Sequence, residues 1–500
     1  MAKAYILVLM GILCAKAAGF LRDAVFASAF GTSVASDIYF QIFSIASLVF
    51  TAVGSALSTL IIKNINKPQY SKNGGQEKYA AHFMRRISLM LLILTALLYL
   101  FAKPLVKLLL PSLTGADFNL AVRVMYIMLP SLLFICVAYM MSGLLQNRRV
   151  FFTPSIMSLP YNAVAVLVLL FGVRDIEIIS AVTTFGWFLH IVIQLPDFYR
   201  KGYRFCLTTK GAFKGGEIKN AYETLFIFIS GLMLQLCFVT DKIFASSSQG
   251  VVSALSYASN LFITFSGLFV VAMSSVVFPA ISQNYEHGEM DYVRELIRYM
   301  IKLMVSIFAF YLVAVVFFGD FAVFTIYEHG AFTREDTIRV TGAFIIYSLA
   351  IFGYLAQNIL NKLFYLAGKY KVTVAGTLIV VLLNALIDYL LVPRFGAYFA
   401  AVTTTLLLTA YAVFIAVKLK SIIGNYITKD LMKALGKIAL SALMSVAAVY
   451  VCERVVPEGV QYEYHIPIFV TAMAIYGVSL LISGVLKDLF TTPLSRVRKG

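Results

Sequence analysis

The sequence predicts an all-α polytopic membrane protein with fourteen transmembrane helices, and three observations carry that expectation. Of 500 residues, 61% are hydrophobic and 13% charged, about half the charged share of a globular domain, and the mean hydropathy is +0.87. The apolar stretches run on for twenty residues or more, the length of a membrane-crossing helix, and do not alternate in ten-residue strands as an outer-membrane barrel would. The basic residues fall on every second connection, as cytoplasmic loops require. A soluble enzyme, a disordered chain and a fibrous repeat are excluded, because so little charge cannot solvate the surfaces of several soluble domains.

Taken in order, the apolar windows are 3–30, 36–62, 83–103, 120–146, 152–172, 176–196, 220–245, 252–283, 296–318, 334–366, 371–392, 397–420, 429–452 and 464–487. The first resembles a signal peptide, but it runs on through Gly19 and Phe20 into Arg22 and Asp23 with no cleavage motif before them, so it reads as a retained span. Of the 41 lysines and arginines, 30 then fall on one side, 8 on the other, and Lys16, Arg22 and Lys242 inside spans. One missed span would exchange the sides of everything after it, so the imbalance supports the count and places both termini in the cytoplasm. The net charge of +17 therefore reflects cytoplasmic loops and not a nucleic-acid partner. Cys14, Cys136, Cys206, Cys237 and Cys452 are scattered and form neither a disulfide frame nor a metal motif.

The chain also repeats itself. Asp-Ala-Val-Phe-Ala-Ser at 23–28 returns as Asp-Lys-Ile-Phe-Ala-Ser at 241–246, Tyr39 meets Tyr257 at the same offset, and Val-Arg-Val at 122–124 meets Ile-Arg-Val at 338–340. Six spans precede the basic 197–219 segment and six follow, so the copies are parallel. The expected domains are a six-helix lobe at 1–196, a basic cytoplasmic linker at 197–219, a second six-helix lobe at 220–420, and an appendix of two helices at 421–500. Folds of this kind place their site between the lobes near the membrane midplane.

Charged groups inside spans are costly and mark function. Lys16 and Asp23 are seven apart and share a face of span 1, Arg22 points about 100° away, and Asp37 opens span 2 across a short turn. One reading is a cation cluster that receives an anion, with the acids orienting the bases; the other is an ion pair knitting span 1 to its neighbours. A second constellation sits at one depth: Asp241 on span 7, Asn384 and Asp388 at i and i+4 on span 11, and Thr404 on span 12. Two carboxylates, an amide oxygen and a hydroxyl suit a small hard cation, or are separate polar groups bonded to nearby backbone. Ser256, Ser259, Asn260 and Thr264 stripe span 8, as a cavity lining or a packing face. His190 reads as a packed histidine and 284–295 as a solvated elbow. No phosphate-binding loop, HExxH or GxSxG motif is present, so the chain is expected to be a transporter and not an enzyme, with no organic cofactor and its energy drawn from an ion gradient or the membrane potential.

Gly-Phe-Leu-Arg-Asp at 19–23 with Ser-Asp-Ile-Tyr-Phe at 36–40, the segment 253–295, and Tyr-Glu-His-Gly-Ala-Phe-Thr at 327–333 resemble, in that order and spacing, the MurJ (MviN) lipid II flippase family. The resemblance covers essentially the whole chain. It implies a monomeric, two-lobed transporter of the bacterial inner membrane whose central cavity takes the pyrophosphate and sugar of an undecaprenyl-linked precursor, with spans 13 and 14 forming a groove for the lipid tail. Lys16 occupies a family arginine position, and Arg22, Asp23 and Asp37 match. Asp241, Asn384, Asp388 and Thr404 match a sodium site of some members, which makes sodium the expected coupling ion. Phe50 and Asn260 stand where the family carries further cavity arginines, which weakens pyrophosphate binding and keeps a flippase for another lipid-linked oligosaccharide as the alternative. A multidrug cation antiporter would have twelve spans, and a membrane glycosyltransferase or ligase would need long outer loops, whereas the longest expected here are 319–333 and 453–463.

Overall fold

A computed structural model describes residues 2–46, 51–66, 75–205, 232–455 and 461–491. Every regular element among them is helical. Among the described residues, nine helices are long and apolar enough to cross a membrane, ten when a bent pair is taken as one span. These ten coincide with the expected spans 3 to 6 and 9 to 14. The windows at 3–30 and 252–283 correspond to helices α1 (Ala2–Phe30) and α13 (Val251–Glu286). The window at 36–62 holds α2 (Val34–Ser44) and α3 (Thr51–Ile65), and α12 (Met233–Ala245) falls in the window at 220–245. Residues 47–50, with Phe50, and 206–231, with most of the expected linker and Cys206, lie outside the described residues.

The chain packs into two compact units, Met1–Tyr257 with Tyr327–Asp336 and Val381–Ala400, and Ala258–Ile326 with Thr337–Val380 and Ala401–Gly500. In the first, α4 (Gly75–Leu100), α5 (Ala102–Leu109), α6 (Gly115–Met128), α7 (Ser131–Asn147), α8 (Phe152–Ser155), α9 (Leu159–Leu170), α10 (Ile176–Val192) and α11 (Leu195–Arg200) follow the first hairpin. Helix α1 lies along α9, and α7 packs against α3 and α10. Lipid offers no hydrophobic drive between helices, so small residues and hydroxyls hold them. Ser142 on α7 donates to Gln194 Oε1 at 2.9 Å, and the Gln194 amide returns to the Ala138 carbonyl at 3.2 Å.

In the second unit α14 (Met290–Tyr327) is one long helix. The outer loop expected at 319–333 therefore shrinks to its last residues, because Phe321–Ile326 is apolar and simply extends the helix. The span expected at 334–366 is bent by 54° between α15 (Arg334–Ser348) and the segment Ile351–Leu366. That segment is made of α16 (Ile351–Leu355), a π-helical turn (Ala356–Leu360) and α17 (Asn361–Leu366). Helices α18 (Tyr370–Phe395), α19 (Phe399–Ile423), α20 (Lys429–Val455), α21 (Gln461–Ile482) and α22 (Val485–Thr491) complete the chain. The two-helix appendix does not stand apart: Ile438, Tyr476, Leu480 and Leu489 bury against Tyr299, Leu303 and Phe310 of α14. Tyr476 Oη also donates to the Ser306 carbonyl at 2.5 Å.

Candidate functional site

Arg22 sits two turns from the end of α1, inside the apolar body of the first unit. Its Nη2 meets Asp23 Oδ1 at 2.6 Å, with both side chains largely buried. Its Nη1 donates to Asn162 Oδ1 on α9 at 3.3 Å. The plane of the guanidinium lies over Tyr161 at 5.0 Å and Phe43 at 5.5 Å, where aromatic faces stabilise a cation without neutralising it. Asn162 is itself fixed, because its Nδ2 donates to the Ala15 carbonyl at 3.3 Å. The expectation that Arg22 points away from the acid on its own span is corrected: the long arginine side chain folds back onto its neighbour Asp23. Lys16, half-buried on the same helix, has no ion-pair or hydrogen-bond partner among the described residues.

Asp37 was expected among these bases. Instead its two oxygens accept from the backbone N–H groups of Gly250 and Ser253, each at 2.7 Å. It caps the start of α13, where orphan amides and the helix dipole favour a carboxylate. Around it the first hairpin is bound to the second half of the sequence at several points. The Tyr257 hydroxyl donates to the Gly31 carbonyl at 3.2 Å, Ala331 N–H donates to the Ser28 carbonyl at 2.8 Å, and the Thr32 hydroxyl donates to Asp336. Gly31 and Gly330 both have positive φ, and a Cβ on either would lie within 2.5 Å of a facing carbonyl oxygen. Only glycine allows that approach, which gives the Glu-His-Gly-Ala motif at 328–331 its physical reason.

The second constellation is partly assembled within the first unit. Asn384 Nδ2 donates to Asp241 Oδ1 at 3.3 Å, and Asp388 lies one turn further along α18; all three are fully buried. Thr404, on α19, is fully buried and belongs to the second unit, as does the half-buried Asn260. The donor set is all oxygen and carries two carboxylates, which fits a hard cation. The Asn384 amide, however, presents N–H and not oxygen to Asp241, an orientation that a cation would reverse. Among the described residues no group of three or more His, Cys, Asp and Glu is spaced for a metal ion. Beside this set, the buried Lys242 donates to Ser44 Oγ on α2 at 2.8 Å.

Sequence reasoning missed Asn162, Tyr161 and Ser44. A lone amide in an apolar span was the available signal for Asn162, but its partner lies 140 residues away. The second unit holds an apolar groove of about 630 Å³ walled by Phe310, Phe318, Met473, Tyr476 and Leu480. It lies where spans 13 and 14 were expected to hold a lipid tail.

A family described as lipid II flippase MurJ matches residues 26–470. The probable lipid II flippase MurJ of Buchnera aphidicola subsp. Acyrthosiphon pisum (strain APS) is 24% identical over 437 residues, 84% of this chain and 83% of that one. The lipid II flippase MurJ of Thermosipho africanus (strain TCF52B) is 24% identical over 443 residues, 87% of each chain. Among solved structures, a lipid II flippase MurJ in an inward closed conformation superposes with a TM-score of 0.81 at 21% identity, over 96% of this chain and 98% of that one. An inward-facing multidrug resistance transporter of the MATE family reaches 0.65 at 12% identity, over 83% and 98%.

Proposed function

The chain belongs to the lipid II flippase MurJ family, and from that premise we propose that it carries lipid II from the cytoplasmic to the outer leaflet of the bacterial inner membrane. The observation that supports this reading best is the Arg22 guanidinium, held inside a membrane-spanning bundle by Asp23 and Asn162. A rigid planar cation at that depth matches a pyrophosphate. Lys16, one and a half turns back along α1, adds a second cation without an acid to neutralise it among the described residues. Undecaprenyl chains need an apolar channel, and the groove walled by α14 and α21 offers one.

Movement follows alternating access. The contacts of Gly250, Ser253, Tyr257, Ala331 and Asp336 with the first hairpin close the outer end, and breaking them opens it. Asp241, Asn384 and Asp388 would hold sodium, which supplies positive charge beside two buried carboxylates and so biases which conformation is favoured. The protein works as a monomer, its lobes are 1–196 and 220–420, and both termini are cytoplasmic. The test is genetic: this chain should restore growth and shape to a bacterium depleted of its lipid II flippase. Lysis with the protein present at normal levels in the membrane would overturn the substrate assignment and favour a flippase for another lipid-linked oligosaccharide.

A further inference from the structure

Tyr327 is the last residue of α14 and belongs to the first unit. Its ring packs against Tyr257 at 5.0 Å, Phe332 at 5.7 Å and Phe20 at 6.5 Å between centroids. The residue is fully buried, yet its hydroxyl has no hydrogen-bond partner among the described residues. Such a group is costly, because a buried donor gives up water and gains nothing in return. The neighbouring tyrosines spend theirs, Tyr257 on the Gly31 carbonyl at 3.2 Å and Tyr39 beside the Thr183 hydroxyl at 2.9 Å. Phe20 and Asp23 are three apart on α1 and share a face, so the contact with Phe20 sets Tyr327 on the side of the helix that carries the acid. The charges its hydroxyl senses are those of Asp23 and Arg22.

We propose that Tyr327 is a positioning residue whose hydroxyl takes over the Asp23 carboxylate when the Arg22 guanidinium turns to a substrate phosphate. In the resting arrangement Arg22 Nε and Nη2 both donate to Asp23 Oδ1, at 3.0 and 2.6 Å. A phosphate that competes for those donors meets the carboxylate at close range, and like charges disfavour each other. A buried carboxylate that loses its cation also needs another donor. A phenol O–H suits that task. It donates to the acid without adding a second cation that would draw the phosphate away from Arg22. The proposal rests on Arg22 being the group that receives the substrate's pyrophosphate.

The test is a melting cycle on the purified full-length protein. Tyr327→Phe keeps the ring contacts and should leave the melting temperature of the parent unchanged or slightly raised, since it removes an unpaired buried donor. In an Arg22→Met background, where Asp23 has lost its cation, Tyr327→Phe should lower the melting temperature by several degrees. With Asp23→Ala added to Arg22→Met, that effect should vanish. A tyrosine that only packs would give the same shift in all three backgrounds, and that result overturns the inference. Binding gives a second reading that needs only the isosteric variant. Tyr327→Phe should bind a lipid II of shortened tail about ten-fold more weakly than the parent, the worth of one hydrogen bond to a charged group. Equal affinity overturns the inference. A parent that binds no lipid II sinks the substrate reading instead, and the melting cycle, which uses no substrate, then decides for Tyr327.

Discussion

Arg22 and Asn162 lie 140 residues apart, and the Arg22 guanidinium donates to the Asn162 side-chain oxygen at 3.3 Å. With Asp23 on the other side, this bond aims a cation from α1 without leaving it loose. Removing Asn162 should cost orientation more than charge. A hydrogen bond to a charged group contributes about 1.5–3 kcal/mol, so Asn162→Ala should lower translocation about ten-fold or more while the protein still folds. Arg22→Ala should abolish translocation and also destabilise by about 3–5 kcal/mol, because it strands the Asp23 carboxylate. Arg22→Ala with Asp23→Ala should recover stability and not transport. Lys16→Ala should lose transport at unchanged stability. Thermal melting beside a translocation assay separates these outcomes, and a double variant that transports would remove Arg22 from substrate binding.

The outer end gives a conformational prediction. Asp37 holds the first amides of α13, a cap whose loss costs about 1–2 kcal/mol. Asp37→Ala should therefore favour the outward-open state. Val252 is fully buried beside this cap. In a background without native cysteines, Val252→Cys should be protected from a membrane-impermeant maleimide and become labelled several-fold faster when Asp37→Ala is added. Equal labelling in both backgrounds would mean that Asp37 is a helix cap and nothing more.

A third prediction concerns the groove. Ala314 lines its wall, and Ala314→Trp should block an undecaprenyl tail while sparing a substrate with a tail of about ten carbons. Deleting 425–500 is a worse test, because Tyr476 and Leu480 are buried against α14 and their loss would bare apolar surface. Full activity of Ala314→Trp on the long-chain substrate would rule out the groove as the tail path.

Asp241 and Asp388 lead to the coupling ion. Buried carboxylates need a cation or a proton, and the neutral oxygen of Asn384, one turn from Asp388 on α18, suits sodium at ~2.4 Å. Sodium should raise the melting temperature of the purified protein by several degrees over potassium, and Asp388→Asn should erase the difference. An equal response to both ions in the parent would point to a proton shared by the two acids.

Much of this architecture was legible because membrane-crossing length and loop charge are local quantities. Ten of the fourteen expected windows coincide with described apolar helices or the bent pair. The bend near Ala350 was not legible, since no proline marks it. The Glu-His-Gly-Ala motif was visible as a pattern, but its reason, the approach of Gly330 to the Ser28 carbonyl, depends on a chain segment 300 residues away. The partners of Asp37, the Gly250 and Ser253 amides, were hidden for a related cause. A carboxylate in an apolar span looks the same from sequence whether it faces a ligand or a helix terminus.

The central claim is that this chain moves lipid II, and surface exposure of lipid II tests it most directly. In cells depleted of their own flippase and expressing this protein, newly made lipid II should become accessible to an impermeant outside probe. Expression of Lys16→Ala at the same level should leave it inside. Lipid II that stays inaccessible with the parent protein correctly inserted would contradict the account.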